Sequence, residues 1–471
     1  MPHLPRLLLL FLLAQSAGAA TWSYSWPPSK SESEVRASVC PLKYDKKWAY
    51  AIELDDGTVP TGTFAPDFFA EFQYTDAAPG VGKGQRKPVV GSLALFPYRV
   101  GANITYVNFD QVREICGKGW AVANHSYSHK GKTYGDVPEI LTPEQIKDEL
   151  FWSQAVFAHE LGHAPTHFVY PNGYTAYADS LGAVGIASAS SVGGKGGISL
   201  VKMGDSFLSI PRCYLDEGAW TNSFRKGNPM DGIPAAGPAA GDLIIDFTHN
   251  LSPDPGSANQ KRWRERLGTL AAKFGADGTD EFWSAPTQDI IAYWRAAKVA
   301  EAQLAPGKLS VSLPDSLPGT PLTIRLDGVP AETNIPSPPG GSICRKDSTV
   351  WITTPVIGAP GAAALTPPVK QIYKGPPAPT IPLDSPRRIA AVRVRQHGNP
   401  TPDRQLNVNI TLPDGSIQKF SEQTQPDGFI SGTHVFSSVP NREAPLAKSV
   451  EITTDPSIKE VEIWAADDAR R

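Results

Sequence analysis

Short apolar runs alternate with helical patterns between about residues 46 and 300, and this alternation predicts a parallel α/β architecture. Each run has the length of one buried strand and stands apart from the next run along the chain. Seven such strands suit a barrel. The predicted strands cover residues 48–54, 88–95, 120–123, 168–170, 184–187, 207–210 and 243–247.

The clearest helix of this region starts after Thr142. Thr142 is a candidate N-cap, Pro143 suits the first helical position, and Gln145 completes a capping box. Gly162 is expected to end the helix. Two further helices are predicted at residues 260–274 and 288–303. The barrel domain is therefore expected to cover residues 21–303.

Beyond Leu304 the helical period disappears and alternating apolar and polar positions predict β structure. A small β module is expected over residues 304–366, with strands at 309–313, 321–326 and 349–353. A Pro-rich stretch at 367–386 indicates a linker. A C-terminal β-sandwich is predicted over residues 387–471, with strands at 389–395, 405–412, 434–438 and 450–454.

The first twenty residues have the pattern of a secretory signal peptide. Arg6 precedes an apolar run at residues 7–13, and small residues at 17–19 precede a cleavage site near Thr21. The mature protein is therefore expected to be exported, to the medium, the cell surface or the periplasm.

The net charge and the hydropathy limit the classes of partner that are expected for this protein. The chain has 44 Lys and Arg against 47 Asp and Glu, a net charge of −3 that argues against a nucleic-acid partner. No stretch after the signal approaches the roughly 18 apolar residues of a spanning helix, so no transmembrane segment is expected.

The four cysteines are an even number in a chain expected to reach an oxidising compartment, which predicts disulfides. Four cysteines allow three full pairings, and the sequence does not rank them. They are Cys40, Cys116, Cys213 and Cys344.

Polar clusters follow three of the predicted strands. Asp55 and Asp56 follow the first, His125 and His129 the third, and His249 the last. The carboxyl ends of parallel barrel strands lie on one rim, where active sites are built, so these side chains are expected to meet.

Two imidazoles and one carboxylate are suitable ligands for a divalent ion and leave positions open for water. His125 and His129 with Asp56 are therefore the candidate ligands, for Zn²⁺ or for Co²⁺, Mn²⁺ or Ni²⁺. Asp55 is not used by the metal in this scheme and can accept a proton from water.

These motifs resemble, in order, those of the polysaccharide deacetylase family, the NodB-homology carbohydrate esterases. The resemblance covers about residues 46–300 and rests on Asp55-Asp56-Gly57, His125 to His129, Tyr170 to Gly173, and Phe247 to His249. It implies a deformed (β/α) barrel followed by the C-terminal all-β modules.

The resemblance also implies roles for individual residues. Asp55 would be the catalytic base and His249 the general acid, with Asp56, His125 and His129 as metal ligands. The loop of Pro171, Asn172 and Gly173 would face the substrate and supply a backbone N–H to the oxyanion.

The sequence departs from the family pattern near the base. Glu53-Leu54 replaces the usual Thr-Phe before the Asp pair, and Val169 stands where an Arg normally orients the base. Arg212, which follows another predicted strand, is a candidate replacement for that Arg.

A competing motif lies at the end of the helix that starts after Thr142. His159-Glu160-Leu161-Gly162-His163 matches HExxH, the signature of zinc proteases. Pro165 breaks a helix just beyond His163, and no third ligand follows at metzincin spacing. The deacetylase interpretation is therefore preferred, and the protease is the weaker alternative.

The expected reaction is hydrolysis of N-acetyl groups on an amino-sugar polysaccharide. Chitin, poly-N-acetylglucosamine, peptidoglycan and galactosamine-containing glycans all remain open, and O-deacetylation of a xylan-like glycan is the alternative within the same fold. The C-terminal β module either contacts glycan or braces the barrel, and the sequence does not separate these roles.

Overall fold

The protein forms two compact units. One comprises Met1–Pro41 and Ala292–Ala362, and the other comprises Leu42–Ile291 and Ala363–Arg471. The computed structural model describes residues 19–28, 34–82, 84–192, 201–202, 207–215, 233–358, 369–396, 405–423, 432–437, 445–452 and 458–466. Residues 1–18 of the predicted signal peptide lie outside this range.

The unit that begins at Leu42 contains the predicted barrel, closed by seven parallel strands. Each strand pairs with the next one along the chain, and the seventh pairs with the first. The strands are β1 (Trp48–Asp55), β2 (Ser92–Leu95), β3 (Ala121–Asn124), β4 (His167–Val169), β5 (Ser188–Val192), β6 (Ile210–Tyr214) and β7 (Asp242–Thr248).

Shorter strands extend this sheet. Phe282–Ser284 lies parallel to the start of β1, and Val201–Lys202 lies antiparallel to β7. Gln73–Thr75 and Arg86–Pro88 form a separate pair. The barrel therefore has the deformed form that the resemblance implies.

The α-helices are α1 (Val59–Ala70), α2 (Phe109–Gly117), α3 (Pro143–Leu161), α4 (Ala178–Leu181), α5 (Ala258–Phe274) and α6 (Thr287–Val299). In the described residues, helices α1 to α4 connect the first five barrel strands, and α5 and α6 follow β7. None of the helices in the described residues has both the length and the apolar character needed to cross a bilayer. Single 3-10 turns occupy Lys43–Asp45, Pro171–Gly173, Thr175–Tyr177 and Gly182–Val184.

Helix α3 begins and ends where the sequence predicts. The Thr142 side chain accepts from the Gln145 amide at 3.2 Å, and the Gln145 side chain accepts from the Thr142 amide at 2.8 Å. Gly162 has a φ of +78°, the left-handed conformation that favours Gly at a helix end. Local capping chemistry alone thus determines both ends of this helix.

Three predicted elements are wrong in position. The strand predicted at 207–210 lies at Ile210–Tyr214, so Arg212 lies within the strand and not after it. The strand predicted at 184–187 lies at Ser188–Val192, because a 3-10 turn and the left-handed Gly185 (φ +78°) precede it. The helix predicted at 288–303 ends at Val299, because Glu301–Ala305 pairs instead with Lys308–Pro314 as a hairpin.

The small β module is larger than the predicted 304–366, because N-terminal strands join it. Ala19–Ser25 pairs with Lys308–Pro314, and Arg36–Val39 pairs with Thr320–Asp327. The second of these sheets continues through Thr349–Ile357 to Ser342–Lys346. The strands Ala19–Ser25 and Arg36–Val39 therefore belong to this module and not to the barrel domain predicted at 21–303. Long-range strand pairing decides which module these strands join, and the local sequence pattern does not show that pairing.

The structure contains no disulfide among the four cysteines, contrary to the expectation from their even number. Cys40 follows the strand Arg36–Val39 at one edge of its sheet, and Cys344 lies in the strand at the opposite edge. Two intervening strands separate them by about 14 Å, whereas a disulfide needs Cα atoms within about 7 Å. Cys116 lies in α2 and Cys213 in β6.

The described part of the stretch predicted as a linker at 367–386 is mainly β structure. Val369–Gly375 and the first part of Thr380–Gln396 are strands within the stretch predicted as a linker at 367–386. Pro382 and Pro386 are accommodated because the pairing with Leu446–Ile452 shifts register between Pro382 and Arg387. The remaining strands of the C-terminal β module are Gln405–Thr411, Ile417–Gln423, Gly432–Ser437 and Ile458–Ala466.

Candidate active site

The end of β1 turns sharply and presents two adjacent carboxylates. Asp55 is the last residue of β1, and Asp56 follows with a φ of +70°. Gly57 also has a positive φ (+66°), and a Cβ there would lie 2.3 Å from Leu95 Cδ2. Glycine is therefore required at the turn that directs these carboxylates to the rim.

Asp56, His125 and His129 form a three-residue group with the geometry of a metal site. Their candidate ligand atoms all lie within 4.8 Å of one another. Asp56 Oδ1 is 3.7 Å from His125 Nε2 and 3.8 Å from His129 Nε2. Burial raises the pKa of Asp56, but the imidazoles of His129 and His125 outweigh it and lower this pKa below its ordinary value.

His125 has a lone pair on Nε2 that is available to a metal ion. Its Nδ1 is 2.7 Å from the carbonyl oxygen of Val169, so Nδ1 carries the proton and Nε2 does not. Nε2 is buried and has no hydrogen-bond partner. Burial lowers the pKa of His125 to about 4, so the ring is neutral at pH 7. A divalent cation is the partner that this arrangement fits.

The loop between the two histidines is held by α3. Glu149 accepts hydrogen bonds from the amides of Tyr127 (2.9 Å) and Ser128 (2.8 Å). Within the loop, the His129 amide donates to Ser126 Oγ at 2.9 Å. Ser126 and His129 both have positive φ values, of +62° and +60°. Such strained backbone persists only where surrounding contacts hold it, and Glu149 supplies two of them.

The Asp55 carboxylate is fixed by Arg212. Arg212 Nη1 and Nη2 donate to the two oxygens of Asp55 at 2.8 and 3.0 Å. The guanidinium lies 3.8 Å above the ring of Phe247, and both charged side chains are buried. His249 Nε2 lies 3.9 Å from Asp55 Oδ2 with about a third of its side chain exposed. The structure thus brings the predicted base, the predicted acid and Arg212 together.

A second buried carboxylate, Glu53, shares the same Arg212. Arg212 Nη1 donates to Glu53 at 3.0 Å. Glu53 also contacts His167 Nε2 at 3.0 Å and accepts from Thr287 Oγ1 at 2.7 Å and Ser190 Oγ at 2.6 Å. Burial raises the pKa of Glu53, but His167 and Arg212 lower it to about 2. Glu53, the residue that departs from the family pattern, therefore anchors Arg212.

The sequence motifs assign no role to Glu53, His167 or Glu149. The unusual Glu at position 53, in an otherwise apolar run, was the signal for the first of them. A buried carboxylate in a barrel strand requires a charged partner nearby. For Glu149, the signal was a carboxylate immediately before Leu150 on the buried face of α3.

The predicted substrate loop lies on the same rim. Pro171–Gly173 is a 3-10 turn directly after β4, in which Asn172 has a φ of +51°. Asn172 Nδ2 donates to the carbonyl of Gly131, two residues after His129, at 3.1 Å. The φ of Gly173 is +68°, and a Cβ there would lie 2.6 Å from Val192 Cγ2. Whether the Asn172 N–H serves the oxyanion stays a prediction.

The HExxH motif does not form a metal site in the structure. Helix α3 ends at Leu161, so His163 lies beyond it, with Nδ1 3.1 Å from the Leu161 carbonyl. His159 packs edge-on against Trp464, and Glu160 pairs with Arg113. In the part of the chain that the structure describes, Asp56, His125 and His129 are the three potential ligands that lie close enough together to share one metal ion.

We expect His159→Ala and His163→Ala to retain most of the deacetylase activity that the sequence predicts, because neither side chain reaches the rim site. The check is acetate release at saturating zinc, with melting temperature as the control for folding. An inactive His163→Ala variant that melts at the wild-type temperature would revive the protease interpretation.

A comparison with known proteins supports the interpretation of this rim as the functional site. The polysaccharide deacetylase family model matches residues 97–185, which include His125, His129 and Asn172. Asp55, Asp56, Arg212 and His249 lie outside the matched residues and are placed by the structure. No curated protein gave a significant match. The part of the barrel at residues 97–185 is therefore similar to the polysaccharide deacetylase family.

Proposed function

We propose that the protein is an exported, metal-dependent enzyme that removes N-acetyl groups from an amino-sugar polysaccharide. The observation that carries the metal dependence is the buried, proton-free Nε2 of His125 facing Asp56 and His129. Export rests on the signal-like first twenty residues. Zn²⁺ is the proposed ion, and Co²⁺, Mn²⁺ or Ni²⁺ suit the same three ligands.

Each residue of the site has a distinct task in this proposal. A cation held by Asp56, His125 and His129 would supply Lewis acidity at the acetyl carbonyl and lower the pKa of water. Asp55 accepts a proton from water, and Arg212 keeps its carboxylate oriented. His249 donates a proton to the departing nitrogen.

His249 supports N- over O-deacetylation. An amide nitrogen is a very poor leaving group unless it is protonated, so cleavage of an N-acetyl group requires an acid near the base. His249 Nε2, 3.9 Å from Asp55 Oδ2, meets this requirement from the end of β7, the strand beside β1. Esters need this proton much less, so O-deacetylation of xylan is the outcome that the test must distinguish.

We expect acetate release from N-acetylated substrates to fall at least tenfold on chelation and to return with zinc. The panel would contain chitin, poly-N-acetylglucosamine, peptidoglycan and galactosamine-containing oligosaccharides, with acetylated xylan as the ester arm. Mg²⁺ serves as the matched ion control, because it prefers oxygen ligands to imidazole.

The pattern of results separates the alternatives. Release from xylan alone would replace the proposal by an esterase, and chelation without effect would contradict the metal dependence. Digestion of casein instead of any glycan would support the HExxH alternative.

A further inference from the structure

Tyr127 lies between the two histidine ligands and contacts the C-terminal β module. Its hydroxyl donates to the carbonyl of Thr433 at 2.6 Å and accepts from Arg393 Nε at 3.3 Å. Tyr127, Thr433 and Arg393 are all buried. Arg393 and Thr433 lie on two paired strands, Thr380–Gln396 and Gly432–Ser437. The loop that carries the candidate metal ligands is therefore bonded to a different part of the fold.

Arg393, the module residue at this contact, is itself held in place. Arg393 Nη1 pairs with Glu462, and Trp464 Nε1 donates to the same carboxylate at 3.2 Å. The Arg393 guanidinium lies 5.9 Å from the ring centres of both Tyr127 and Trp464. A buried charge held by a counter-charge and two rings has little freedom, so the Tyr127 hydroxyl meets a rigid partner.

Further contacts anchor the module beside this loop. The Thr433 amide donates to the Tyr98 carbonyl at 3.1 Å, and the Tyr98 amide donates to the Tyr127 carbonyl at 2.9 Å. Trp464 packs edge-on against Trp152 of α3, with ring centres 6.2 Å apart. Because α3 also carries Glu149, the loop is held from α3 and from the module together.

The described part of the module offers less support for a glycan-binding role. Its most exposed large hydrophobic side chains are Ile417 and Leu446, both aliphatic, and its rings at Tyr373 and Phe420 are half-buried against the core. Its rings at Phe436 and Trp464 are buried. Sugar rings are bound by exposed aromatic faces, whereas buried rings stabilise packing.

We propose that the C-terminal β module is a positioning element of the metal site, acting through Tyr127 to hold the loop of His125 and His129. The inference rests on the proposed function, because it assumes that these histidines bind a metal. Removal of outer contacts of a metal ligand typically weakens metal binding 10- to 100-fold. Tyr127 acts one step further out, through the loop backbone.

The test compares Tyr127→Phe with Tyr74→Phe in the full-length protein. Both substitutions remove one buried hydroxyl that donates to a backbone carbonyl, and the Tyr74 hydroxyl donates to Ser284 at 3.0 Å, away from the loop. Zinc affinity is measured by competition with a chromogenic chelator, and acetate release and melting temperature are measured beside it. We expect Tyr127→Phe to weaken zinc binding about tenfold and Tyr74→Phe to leave it unchanged.

Arg393→Lys provides a second variant in case the first folds poorly. Lysine keeps a positive charge opposite Glu462 but lacks the Nε–H that reaches Tyr127, so zinc affinity should fall in the same direction. Wild-type zinc affinity in both variants would overturn the positioning role and leave the deacetylase proposal intact. Weakened zinc binding in a protein that releases no acetate from any glycan would support positioning and contradict the proposed function. A wild-type protein that binds no zinc would contradict both.

Discussion

Asp55→Asn is expected to lower acetate release about 10²- to 10⁴-fold while the protein keeps its metal. Removal of a general base costs rates of this size. Asp55 is held by Arg212 and faces His249, whereas the metal group consists of Asp56 and the two histidines. Asparagine preserves the shape of the side chain but cannot accept the proton. The measurements are kcat/KM on the best substrate and zinc content after gel filtration.

His125→Ala is the matched contrast, because it removes a ligand and leaves Asp55 in place. It should lose zinc at concentrations where Asp55→Asn remains loaded, and added zinc should restore little activity. If both variants lose zinc equally, the division between base and ligand is wrong. Full activity in Asp55→Asn would exclude this carboxylate as the base.

The sequence predicts the parts of this molecule that depend on local patterns. The caps of α3 require only Thr142, Gln145 and Gly162, which lie within the helix or directly beside it. The seven apolar runs also identify the barrel, because strands of a closed parallel sheet are covered on both faces. The candidate ligands are predictable for the same reason, since each follows the carboxyl end of a strand.

Features that depend on distant pairing escape the same analysis. The strand Ala19–Ser25 is ordinary in sequence and acquires its place by pairing with Lys308–Pro314, more than 280 residues further along the chain. Prolines made residues 367–386 look like a linker, although a register shift in the sheet accommodates them. Tyr127 likewise gives no sign of Arg393 or Thr433, which lie more than 260 residues further along the chain.

The contrast between local patterns and distant pairing also applies to single residues of the site. Arg212 was a candidate only because the usual Arg was replaced by Val169, and its partner Glu53 looked like a mere departure from a motif. In the structure these two observations explain each other. Glu53 lies on β1 and Arg212 on β6, and the closed barrel brings them to 3.0 Å. A family pattern describes each position separately. The buried carboxylate of Glu53, however, needs a charged partner, and Arg212 supplies it.

This shared ion network leads to the largest expected effect on stability. Arg212→Met should lower the free energy of unfolding by about 3–5 kcal/mol at pH 8, the usual cost of removing one partner from a buried ion pair. Two buried carboxylates, Asp55 and Glu53, would lose their shared cation. Urea denaturation of the apo protein measures the loss without the contribution of bound metal.

The pH dependence of this loss follows from Glu53. In the native protein its pKa is lowered to about 2 from an ordinary value of 4.5, so its ionised contacts stabilise the fold above about pH 4.5. That contribution fades as the pH falls toward 2. Arg212 is one cause of the lowered pKa, so a variant without it should be most destabilised at neutral pH and less so near pH 4.

Arg212→Lys separates orientation of the base from stability. Lysine supplies a charge but cannot bond both oxygens of Asp55 in a planar fork, so it should recover part of the unfolding free energy. Its acetate release should still fall about 10²-fold, because a small misplacement of a catalytic group has effects of that size. The zinc affinity of this variant should stay near that of the wild type, since Arg212 contacts none of the three ligands. Wild-type activity in Arg212→Lys would show that the two-point contact with Asp55 serves the fold alone.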